Sequence, residues 1–131
     1  MLTTNQILKT QPTFILSVNY GANIGEMIGD ETGTEYLAEM VIQYHSLTDN
    51  CCISFYVECL VSVSDNKVTI EEMNTCYDSW IVCVNNIKDL PNGSHHVWGY
   101  DLDEELHTKL VKLMESQPIY DIPEHLTIEG Y

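Results

Sequence analysis

Cys52-Ile53-Ser54-Phe55-Tyr56-Val57-Glu58-Cys59-Leu60-Val61-Ser62-Val63-Ser64 is the stretch that decides the fold. Its odd positions Ile53, Phe55, Val57, Cys59, Val61 and Val63 are apolar. Its even positions are polar or wettable, with Leu60 the exception. Successive side chains of a strand point to opposite faces, so this alternation describes a strand with one continuous apolar ladder. At about 3.3 Å per residue it is roughly 40 Å long. A strand of that length needs partners on both edges and a helix layer over its apolar face.

The residues that follow supply partners. Ser64-Asp65-Asn66-Lys67 reads as a tight hairpin turn, because Asp and Asn tolerate positive φ. Val68, Ile70 and Met73 mark a returning strand, and Asn74 to Asp78 a second turn. Trp80-Ile81-Val82-Cys83-Val84 is an unbroken apolar run that suits a strand covered on both faces. Together these strands predict an antiparallel meander over 51–84.

Upstream, residues 1–12 predict a short helix capped by Thr4 and stopped by Pro12, and 13–20 predict a first strand. Gly21, Gly25, Gly29 and Gly33 then recur at every fourth position. Strand, glycine loop and helix outline a phosphate cradle. No GxGxxG or GKS/GKT is present, and Glu26, Asp30 and Glu31 would repel an anion, so the loop reads as a connector. A first long helix is expected from Thr32 or Thr34 to His45, with Leu37, Met40, Val41 and Tyr44 as its buried stripe. On that helix Glu31, Glu35 and Glu39 form a second stripe at i, i+4 and i+8, with no lysine to offset it.

Downstream, 85–93 is loop and 94–100 a short extended piece. Asp101 or Asp103 caps a second long helix whose apolar stripe is Leu102, Leu106, Leu110, Leu113 and Met114. Its acids come early and Lys109 and Lys112 late, matching the helix dipole. Pro118 ends it, and 126–128 give a last short strand. The sum is one acidic α+β domain over 1–131. It is expected to have a four- to five-stranded, mostly antiparallel sheet with two main helices packed on one face.

Charge bounds the function. There are 20 acids against 5 lysines and no arginine, for a net charge of −15. Such a chain repels nucleic-acid phosphates and anionic membranes and favours a basic partner. No apolar run is long enough to span a bilayer, and the N-terminus shows no signal-peptide pattern, so a cytoplasmic protein with reduced cysteines is expected.

Motifs for chemistry are weak. His95, His96, Asp101, Asp103 and His107 are metal-ligand types close in sequence, but adjacent histidines on a strand diverge and no CxxC or HExxH occurs. Cys59 and Cys83 fall in core patterns, and nothing near Cys51 and Cys52 in sequence offers a base. No catalytic residue, metal or cofactor is therefore expected.

The remaining candidate is acidity itself. Glu26, Asp30, Glu31, Glu35 and Glu39 form one expected partner-binding patch, and Asp101, Asp103, Glu104 and Glu105 a second. An unpaired carboxylate row can present itself to the lysines and arginines that hold a phosphate backbone. The expectation is a small acidic, non-enzymatic inhibitor that binds a basic surface of a nucleic-acid-handling protein as a nucleic-acid mimic. It resembles phage anti-defence proteins such as anti-CRISPR and antirestriction inhibitors in size and composition alone; if phage-encoded, it would act in the host cytoplasm. Alternatives are an immunity protein neutralising a toxin nuclease, or a small-molecule-binding or sequestering protein closing the glycine loop over a ligand. The sequence accommodates a monomer or a homodimer.

Overall fold

The computed structural model of the chain describes residues 1–24, 29, 33–74, 76, 79–97, 103–116 and 126–130. The order is α1 (Thr4–Ile7), β1 (Thr13–Asn23), β2 (Glu35–Ser46), β3 (Cys51–Ser64), β4 (Lys67–Met73), β5 (Ile81–Asn85), β6 (Gly93–His96), α2 (Glu104–Glu115) and β7 (Thr127–Gly130). Thr3, not Thr4, caps α1, sharing a capping box with Gln6.

β3 is the spine. Ile53, Phe55, Val57, Cys59 and Val61 are all buried, as the alternation requires. One edge of β3 pairs with every residue of β2, from Ser46↔Cys51 to Glu35↔Ser62. The other edge is divided. Its first half pairs with β5 (Cys52↔Asn85 to Tyr56↔Ile81) and its second half with β4 (Cys59↔Met73 to Ser64↔Lys67). The expected meander is thus corrected: β4 and β5 lie end to end on one edge of β3, and β4 does not separate β3 from β5. The β3–β4 hairpin does turn at Asp65 and Asn66, with φ of 51° and 62°.

The larger correction is β2. Residues 35–46 form a strand, not the expected long helix. Tyr36, Ala38, Met40, Ile42 and Tyr44 alternate with Glu35, Leu37, Glu39, Val41, Gln43 and His45. Ala38, Met40, Ile42 and Tyr44 are buried, which is period two. The helical stripe used only part of that set. Aromatic and β-branched residues favour the extended chain, and as a strand the segment gives β3 a long antiparallel partner. The sheet is therefore seven-stranded and mixed, in the order β6-β5-β3-β2-β1-β7 with β4 beside β3. All pairs are antiparallel except β1–β7. This replaces the expected four- to five-stranded sheet with two main helices: among the described residues α1 is a single turn and α2 is the one longer helix.

Both helices pack on the same side. Ile7 of α1 and Leu110, Leu113 and Met114 of α2 share one core with the even-numbered face of β2 and the odd-numbered face of β3. The loop after β5 ties this layer together: Asp89 accepts from the Thr4 amide at 2.7 Å, Lys109 donates to the Asp89 carbonyl at 2.8 Å, and Ile87 and Leu90 are buried. Trp80 closes the end of the core, 1 % exposed, with its indole N–H donating to the Asn74 carbonyl at 2.9 Å. Asn23 donates to the Gly33 carbonyl at 2.9 Å and pins together the two ends of the glycine segment. Gly21 lies inside β1, and Gly25 lies outside the described residues.

β7 is held to the sheet by backbone pairing and by one close approach. Gly130 lies opposite Val18, and the Tyr20 ring occupies the space a Cβ on Gly130 would need. Replacing Gly130 by Val is expected to cost about 0.5–1.5 kcal/mol in urea unfolding, because the half-exposed Tyr20 ring must leave its rotamer. Adding Tyr20→Ala to the same chain should recover most of the loss. Equal stability of wild type and Gly130→Val would contradict this packing.

Candidate interaction face

The side of the sheet opposite the helices is covered by no described element. Directly opposed residues of neighbouring strands share a face, so the register turns this side into rows running across the strands. One row is Ile15, Val41, Tyr56 and Ile81, ending in Thr127 and His96. The next row is Glu129, Ser17, Glu39 and Glu58. Beyond it Leu37 stands opposite Leu60, with Asn19 and Glu72 at either end. The face is therefore striped: apolar, acidic, apolar.

The acidic row is the unusual one. Glu39 and Glu58 are direct cross-strand partners in the middle of the sheet. Their Cβ atoms are about 5 Å apart in such a pair, and Glu129 is two strands further, roughly 10 Å. Glu58 and Glu129 are exposed and Glu39 is half-buried. Burial first, and the Glu58 carboxylate second, raise the Glu39 carboxyl above its ordinary value. No lysine faces the pair. Lys88 follows β5 on the helix side, Lys109 and Lys112 are on α2, and Lys9 follows α1. Lys67 is opposite Ser64 at the hairpin tip, six residues along β3 from Glu58, which is roughly 20 Å.

The expected site residues are distributed differently from the helical picture. Glu35 and Glu39 do share a face, but of a strand, roughly 13 Å apart and not one helical turn. Glu26, Asp30, Glu31 and Asp101 lie outside the described residues. Asp103 caps α2, accepting from the Glu105 amide at 2.8 Å and the Leu106 amide at 3.4 Å, and Glu104 and Glu105 occupy its first turn. These three acids are in the helix layer, so the structure does not join them to Glu35 and Glu39. They line a shallow, open depression with Thr108, Lys109 and Lys112. Glu58 and Glu129 escaped the sequence reading. Glu58 was visible as the charged member of the wettable face of β3, but its opposition to Glu39 appears only once β2 is a strand.

The histidine and cysteine candidates resolve into local contacts. His95 bonds the Pro91 carbonyl at 2.8 Å. Among the described residues no three of His, Cys, Asp and Glu converge on a point that could hold a metal. Cys51 and Cys59 are core residues, and burial pushes the Cys59 thiol up to about 11. Cys52 does have a base across the strand gap, His45, whose Nδ1 is buried without a partner. Burial also raises the Cys52 thiol, which keeps it protonated and disfavours a nucleophile there. No helix among the described residues is long and apolar enough to cross a membrane. No family model, curated protein or solved structure matches the chain.

A like-charge pair directly opposed in a sheet destabilises it. Glu39→Gln is therefore expected to raise stability at pH 7 by roughly 0.2–1 kcal/mol. The sign with pH follows from the raised carboxyl. The folded state binds the proton more tightly than the unfolded chain, so the penalty is present above the raised value and fades as pH falls to about 4. Urea unfolding of both proteins should show a gap at pH 7 that closes near pH 4. A gap of the opposite sign, or one independent of pH, would contradict the pairing.

Proposed function

We propose that this chain is a small acidic, non-enzymatic interaction protein that binds a basic surface of a nucleic-acid-handling protein and blocks it. The observation that carries the reading is the row Glu58, Glu39 and Glu129 on a sheet face that no described element covers, with no lysine facing it. The fold does not need those carboxylates there. Serine, threonine or lysine at the same positions would leave the core untouched and remove a repulsion. A row of anions at about 5 and 10 Å, backed by a net charge of −15, suits lysines and arginines that otherwise hold phosphates. Long-range attraction would make association fast and salt-sensitive.

An inhibitor of a defence nuclease and an immunity protein against a toxin nuclease would use this face in the same way. The captured partner separates them.

Affinity capture from a bacterial lysate tests the proposal. The wild-type chain should retain a basic nucleic-acid enzyme at low salt and release it at high salt. Glu39→Lys with Glu58→Lys should abolish capture, while Glu104→Lys with Glu105→Lys should preserve it. Capture that survives the first pair and is lost with the second would move the site to α2 and refute the sheet-face reading.

A further inference from the structure

The stripes also run along the strands, and in that direction they specify more than charge. Following β2 and β3 together, Leu37 and Leu60 come first, Glu39 and Glu58 two residues on, and Val41 and Tyr56 two residues beyond. Leu37 is 46 % exposed, and Leu60, Val41 and Tyr56 are half-buried. The two apolar pairs are about 13 Å apart with the carboxylates midway, at about 6.7 Å. On a helix, positions i, i+4 and i+8 share one face and rise about 6 and 12 Å. The repeat of the two surfaces coincides.

We propose that this face docks a basic amphipathic helix of the partner protein, laid along β2 and β3. One apolar side chain would rest on Leu37 and Leu60, a lysine or arginine would lie between Glu39 and Glu58, and a second apolar side chain would rest on Val41 and Tyr56. The inference rests on the reading of this face as the partner-binding surface and adds the chemistry of what it binds. A second copy of the chain is the wrong occupant, because it would set one carboxylate row against another. An extended segment is also a poor fit, because strands pair with sheet edges, not faces. A helix over this face would match the helix layer that the described residues place on the other side of the sheet. The apolar contacts would slow dissociation and leave the carboxylates to set orientation and salt dependence.

Chemical-shift mapping on the full chain with two synthetic helices of about 15 residues tests this. Both peptides carry the same lysines. One has Leu at i and i+8 around a Lys at i+4; the other has Ser at those two positions. The proposal expects the Leu peptide to bind at least about tenfold tighter, with shifts centred on Leu37, Glu39, Val41, Tyr56, Glu58 and Leu60. Leu37→Ser with Leu60→Ser should erase that difference, and Glu39→Gln with Glu58→Gln should weaken both peptides. Equal binding of the two peptides at this face would overturn the helix-docking inference and leave the electrostatic reading standing. Shifts confined to Asp103, Glu104 and Glu105, or no binding of either peptide, would overturn both.

Discussion

A strand as long as β3 has two edges of backbone donors and acceptors to satisfy and two faces of different character to place. One edge takes a single partner of matching length, β2; the other takes two short strands end to end. The apolar face goes under the helices, with Phe55 and Val57 each 1 % exposed near its centre. Once those choices are made, little freedom remains. β2 must present Met40 and Ile42 to the core, because a one-residue slip would turn every side chain over. That same register fixes Glu39 opposite Glu58. The acidic row is thus a direct consequence of the pairing that holds the fold together.

This linkage separates what the sheet needs from what it tolerates. Burying the even face of β2 and the odd face of β3 stabilises the domain through apolar area removed from water. Nothing comparable favours two glutamates opposed across the other face. They repel, and burial raises the half-buried member, Glu39. The proposed role of this surface as a contact surface is what would keep an unfavourable charge pair between two apolar pairs.

Much of the strand pattern was legible in the sequence. β3, the Asp65–Asn66 turn, β1 and the α2 apolar stripe follow from period and turn chemistry alone. The segment 35–46 was misread for a physical reason. Its residues satisfy two periods at once: Leu37, Met40, Val41 and Tyr44 make a helical stripe, and Tyr36, Ala38, Met40, Ile42 and Tyr44 make one face of a strand, blurred in the sequence by Leu37 and Val41 on the other. Local pattern could not choose, and the tertiary demand of β3 for a long partner did. The site inherited that error. Glu35 and Glu39 were found, but as steps on a helix. Glu58 and Glu129 could not be joined to them, because cross-strand neighbours are distant in sequence. The side-by-side placement of β4 and β5 on one edge of β3 was hidden for the same reason.

The proposed meeting place with the partner is the face of β2 and β3 that no described element covers. Carboxyl-specific labelling read by mass spectrometry, on the free chain and on its complex with the captured partner, measures this most directly. Glu58, Glu129 and, more slowly, Glu39 should react in the free chain and be protected together in the complex, while Glu104 and Glu105 keep reacting. Protection confined to Glu104 and Glu105, with Glu58 and Glu129 still labelled, would contradict it.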